Sequence, residues 1–172
     1  MKIQGPVTSM HSPPVVEVGG EELAALKRAA AAAPLRRARI SLHSSSDSMV
    51  QEMIIAFGRD SYIRPHRHLD KQESFHLFEG ALSVGLFDDA GELERWIHLS
   101  EGGNRFYRLN ASRWHTVVIR SEFAVIQEVT NGPFIAGGDH FAPWSTPADD
   151  IAAGDVLADW RGRAEEDEHS RA

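Results

Sequence analysis

No cysteine occurs in the 172 residues, which excludes a disulfide framework and any thiolate metal site and fits a reducing compartment. No stretch approaches the roughly 18 apolar residues of a membrane-spanning helix. The opening MKIQGPVTSMHSPP has no apolar core of the kind a secretory leader carries. Positive charge is scarce: 18 Lys and Arg against 25 Asp and Glu give a formal net charge of −7. Neither a nucleic-acid surface nor an anionic membrane is therefore expected as a partner. No G-x-S-x-G elbow or Ser/His/Asp arrangement is visible. The glycines of GGN and AGGD lack the strand–loop–helix setting of a phosphate-binding loop. These absences leave a cytoplasmic protein as the expectation.

What is present reads as one globular domain, with 42% hydrophobic and 25% charged residues. Residues 1–19 are polar, carry Pro13 and Pro14, and read as an arm or short edge strand. A helix is expected from about Glu21 to Ala33. Glu21 and Glu22 suit its positive end, and Pro34 stops it. Arg36, Arg37 and Arg39 then read as a solvated basic run whose binding role stays open. From there short apolar runs alternate with turn residues. The expected strands are Arg39–Leu42, Val50–Phe57, Ser61–His68, Ser74–Glu79, Ala81–Phe87, Glu94–Leu99, Phe106–Leu109, His115–Arg120 and Ala124–Thr130. DDAGE reads as a hairpin loop with Gly91 at positive φ. Many short strands without intervening helices argue for a sandwich or closed β architecture. An arm and helix over 1–39, a barrel over 40–146 and an acidic tail over 147–172 follow. Within that tail a short helix is expected around Asp149–Trp160, and the rest is expected to fray.

The chemistry concentrates in RPHRHLDKQESFHLFEG, residues 64–80. In a strand, residues two apart share a face, so His66 and His68 present two imidazoles side by side. LDKQ turns the chain and Glu73 returns a carboxylate towards them. His115, opening the apolar WHTVVIR, is the best fourth ligand. Three imidazoles and a carboxylate suit Fe, Mn, Co, Ni or Zn as divalent ions and leave coordination positions open. His76 is expected to face the other way from Glu73. Arg64 shares the parity of His66 and His68 and is a candidate anion clamp. Trp114 and Trp144 read as packing residues. In VIQEVT, either Gln127 or Glu128 faces inward, and an inward Glu128 is a candidate proton carrier, as is Tyr107.

His66-x-His68-x4-Glu73-x6-Gly80 resembles the first motif of the cupin superfamily, except that Asp60 stands in place of its leading glycine. The second motif is weaker: His115 is present, but Asn104, Asn110, Ser112 and Ile119 occupy its Gly, Pro, Gly and Asn positions. More narrowly, VQEMIIAFGRDSYIRPHRH, ESFHLFEGALSVGLFDDAGE, WHTVV, QEVTNGPF and HFAPWS resemble the WbuC family of cupin-fold metalloproteins over about Leu42–Thr146. The resemblance implies a double-stranded β-helix barrel, flanked here by the N-terminal helix and a short C-terminal helical tail. It also implies a metal inside the barrel and an association with surface-polysaccharide genes. The reading that follows is a metal-dependent enzyme acting on a small polar molecule such as a sugar or sugar-nucleotide, by isomerase/epimerase-type or oxygenase-type chemistry. A non-catalytic carbohydrate-binding or sensor module is the alternative, and a homodimer fits either.

Overall fold

The computed structural model describes residues 13–171. A helix, α1 (Gly20–Ala32), precedes ten strands, and a second helix, α2 (Ala153–Arg171), follows them. The strands are β1 (Arg37–Ser41), β2 (Val50–Gly58), β3 (His66–His68), β4 (Glu73–Glu79), β5 (Ala81–Phe87), β6 (Leu93–Ser100), β7 (Phe106–Leu109), β8 (Trp114–Ile119), β9 (Phe123–Asn131) and β10 (Asp139–Phe141). They form two five-stranded antiparallel sheets, ordered β1-β2-β9-β4-β7 and β10-β3-β8-β5-β6. Face to face, the two sheets make a jelly-roll β-sandwich.

Period-two alternation sorts the side chains into three apolar layers. Between the sheets lie Met53, Ile55, Phe57, Phe75, Leu77, Leu82, Val84, Val117, Ile119 and Ile126. Outside the first sheet, Leu26 and Ala30 of α1 meet Ala38, Ile40, Ile54, Ala56 and Val125. Outside the second, Leu157, Trp160 and Ala164 of α2 meet Phe87, Trp96, Trp114 and Val118. Each helix thus covers the face its sheet would otherwise expose.

Local chemistry explains the boundaries. Glu22 reaches back to accept from the Gly19 amide at 2.9 Å, closing the start of α1. Gly80 joins β4 to β5 at φ 85°, where a Cβ would stand 2.1 Å from the Phe123 carbonyl oxygen. Gly91 takes φ 91° in the β5–β6 hairpin, as its sequence implies. Asp60, Asn104, Asn110 and Ser112 all avoid positive φ, so the missing motif glycines and proline impose no strain.

Four expectations need correction. The strand foreseen from Ser61 pairs only from His66, because Pro65 has no amide to give and the Ile63 carbonyl is taken by the Thr116 hydroxyl. AGGD turns at Gly137 as expected, but its Asp139 already opens β10, a strand not foreseen, which pairs with β3. The chain beyond Trp160 does not fray but stays helical to Arg171. Ion pairs from Asp167 to His98 at 2.9 Å and from Glu165 to Arg59 at 3.3 Å dock that extension on the barrel. Of the N-terminal arm, residues 1–12 lie outside the described residues, and 13–19 form no strand.

Candidate metal centre

β3 and β8 are neighbours, with His66 directly opposite His115. Val117 and Ile119 belong to the inner core, so His115 on the same face points inward. Ring centroids lie 4.3 Å apart for His66 and His115, 5.0 Å for His66 and His68, and 5.6 Å for His68 and His115. One nitrogen from each of the three falls within 4.8 Å of the others, so the group can hold a metal ion. β4, in the opposite sheet, carries Glu73 in line with inner-core Phe75 and Leu77. Its Oε1 lies 3.1 Å from His115 Nε2 and its Oε2 lies 3.6 Å from His68 Nε2.

The imidazoles are also oriented. His66 Nδ1 sits 2.9 Å from the Arg64 carbonyl, and His115 Nδ1 sits 2.9 Å from the Arg113 carbonyl. A carbonyl can only accept, so Nδ1 carries the proton and Nε2 keeps its lone pair for an ion. His68 Nδ1 lies 3.0 Å from Asp139 Oδ1, at ion-pair distance but off the line of a good hydrogen bond. His115 Nε2 and Glu73 Oε1 are buried, face each other, and have no aligned hydrogen-bond partner. Two electron-rich atoms so placed call for a cation between them, and the residues fit a divalent transition ion.

Charges in the cluster are strongly coupled. Burial, reinforced by His115, pulls His66 down to about 4. Burial acts the same way on His68, but the carboxylates of Asp139 and Glu73 outweigh it and raise that ring to about 9. His115 is likewise raised against burial by Glu73. Glu73, which burial alone would push up, is held well below the usual carboxylate range by His115 and His68.

Beyond the cluster, a cross-strand row on the inner face of the first sheet runs Met53, Glu128, Phe75, Tyr107. Glu128 is therefore the inward residue, and Gln127 faces out to Glu52. Burial and the Glu73 charge raise Glu128 to about 7. The Tyr107 hydroxyl is buried without a hydrogen-bond partner, and burial together with Glu73 pushes its pKa far up. His76 is exposed on the outer face. Arg64 is not a free clamp: it donates to Ser145 Oγ at 2.8 Å and lies over the Phe141 ring. Trp114 packs in the outer cluster, donates to Asp89 and carries Arg67 over its ring. Trp144 packs beside it at 6.3 Å. Asp139 escaped sequence reasoning; its one signal was its place after AGG, where a short strand could bring it to His68.

Fold and cluster together define a cupin-type barrel with an internal histidine group suited to a metal. A family model described as a domain of unknown function (DUF6016) matches residues 18–99, just under half of the chain. No curated protein matches the sequence. Among solved structures, the capsular polysaccharide assembling protein CapF from Staphylococcus aureus superposes with a TM-score of 0.52 at 14% identity, covering 60% of this chain and 29% of its own. Protein SO0799 from Shewanella oneidensis gives 0.52 at 10% identity, covering 74% of this chain and 84% of its own. Oxalate oxidase in complex with the substrate analogue glycolate gives 0.50 at 14% identity, covering 77% and 74%. At these identities the likeness is one of fold alone. The chain spans less than a third of the CapF chain it resembles.

Proposed function

We propose that this protein is a metal-dependent enzyme acting on a small polar molecule, of the sugar or sugar-nucleotide class, with His66, His68, Glu73 and His115 as the metal ligands. The observation that carries the reading is the orientation of the imidazoles: backbone carbonyls hold Nδ1 of His66 and His115, Asp139 stands at ion-pair distance from Nδ1 of His68, and the three rings gather beside a buried, unpartnered carboxylate oxygen. A bound divalent ion would supply Lewis acidity there.

The chain's own residues supply proton handling. Glu128, held near 7, can take a proton from carbon or oxygen and return it at neutral pH. Tyr107, whose proton is held tightly, acts as a hydrogen-bond donor to a developing oxyanion rather than as a base. An interior acid–base pair beside the cluster is what a purely carrying or sensing module would not need, and it favours isomerase/epimerase-type chemistry. Oxygenase-type chemistry would use the same ligands with iron. A WbuC-type role in surface-polysaccharide metabolism agrees with the resemblance to CapF in fold. Dimerisation would use the β4–β7 edge, where His76 and Phe106 stand exposed opposite each other.

The test is to load the protein separately with iron, manganese, nickel, cobalt and zinc, then incubate it in D2O with a panel of sugar-nucleotides. Solvent deuterium should enter one carbon position, and Glu128→Gln should abolish the exchange while retaining metal. Oxygen consumption by the iron form without exchange would move the assignment to an oxygenase. Neither signal across the panel, with metal bound, would favour the binding module.

A further inference from the structure

Ala38 and Ile40 of β1 pack towards α1. Alternation therefore turns Arg37 and Arg39 to the opposite face, where they stand across from Phe57 and Ile55 of the inner core. Arg39 Nη1 lies 4.0 Å from Met53 Sδ, and Met53 stands opposite Glu128. Two guanidinium groups thus border the inner row that carries the candidate proton carrier.

Arg39 is exposed to solvent, whereas Arg37 is half-buried and lacks a protein partner among the described residues. Every other partly buried arginine among the described residues is tied to an oxygen: Arg36 to Ala31, Arg64 to Ser145, Arg67 to Asp89, Arg120 to Glu168 and Arg161 to Arg59. Arg37 is partly buried and, among the described residues, reaches no oxygen at hydrogen-bond or ion-pair distance. Burial first, and then the like charge of Arg39, disfavour its cation, with Glu128 offsetting only in part. An anion seated between the two would offset the burial of Arg37 and its repulsion by Arg39, and the planar fork of arginine matches carboxylate and phosphate.

We propose that Arg37 and Arg39 clamp an anionic group, a carboxylate or a phosphate, of the molecule taken by the site, which makes its substrate an acidic sugar or a sugar phosphate. This rests on the metal-enzyme reading for the identity of the site, but the clamp can be tested without it. Full-length wild-type protein, the His66→Ala/His68→Ala variant and the Arg37→Gln/Arg39→Gln variant would each be titrated with inorganic phosphate and with malonate at low salt. Arginine Nε–Hε resonances would be followed by NMR.

Saturable shifts of the Arg37 and Arg39 signals are expected in the wild type. They should persist in the histidine variant, and anion affinity measured by titration calorimetry on all three proteins should weaken about tenfold or more in the arginine variant. The tighter of the two probes names the anion class. No saturable shift with either anion, or undiminished binding in the arginine variant, overturns the clamp. Binding lost only in the histidine variant places the anion on the metal site and overturns it as well. Metal content measured on the same samples reports separately on the reading beneath.

Discussion

His68 Nδ1 lies 3.0 Å from Asp139 Oδ1 across the β3–β10 ladder, while the other ring nitrogen turns to Glu73 in the histidine cluster. A carboxylate behind a ligating imidazole fixes the ring and raises its basicity, and losing such a partner costs about 10–100-fold in metal affinity. Asp139→Asn should therefore weaken metal binding by that range in a chelator competition. The fold should survive, since Asp139 is exposed on a three-residue edge strand.

The same pair sets a pH window for the metal-free protein. His68 is raised to about 9, so its contribution is complete below its ordinary 6.5 and is lost as pH rises through 9. Asp139, held at about 2 by His68, contributes above its ordinary 3.8 and loses that contribution as pH falls through 2. The stability difference between wild type and Asp139→Asn should form a plateau from about pH 4 to 6.5 and fade on both sides. Urea midpoints across pH measure it; a difference that persists at pH 10 contradicts the pairing.

Tyr107→Phe removes a buried hydroxyl that has no hydrogen-bond partner. Relief of that penalty should raise stability by about 1 kcal/mol, seen as a higher Tm. Turnover should fall, because the group left idle in the resting fold is the one assigned to substrate. A variant both less stable and fully active would assign Tyr107 to packing alone.

Gly80→Ala places a Cβ 2.1 Å from the Phe123 carbonyl oxygen at a φ of 85°. Since backbone rather than a flexible side chain is in the way, a loss of about 2–4 kcal/mol is expected. Thermal unfolding would show it.

Much of this was legible in the sequence because it depended on local rules. Spacing by two put His66 and His68 on one face, and the turn at LDKQ returned Glu73 to them. The strand expected at WHTVV carried His115. What escaped was non-local. Whether Gln127 or Glu128 faces in depends on the register between β9 and β2, where Glu128 meets Met53. Asp139 reaches His68 only through a three-residue strand that no periodicity could announce. Arg64 has the right parity for the site, yet the Ala142–Ser145 turn captures it. The tail beyond Trp160 is too polar to signal a helix by pattern, and its order comes from docking on the barrel, with Ala164 buried and Asp167 and Glu168 paired.

Metal content is the most direct test of the central claim. Protein made without a chelating tag would be quantified by plasma mass spectrometry beside His66→Ala/His68→Ala, with circular dichroism to show that both are folded. The account predicts close to one divalent transition ion per chain in the wild type and none in the variant. A folded wild type that binds no metal, even after reconstitution with each candidate ion, would contradict it.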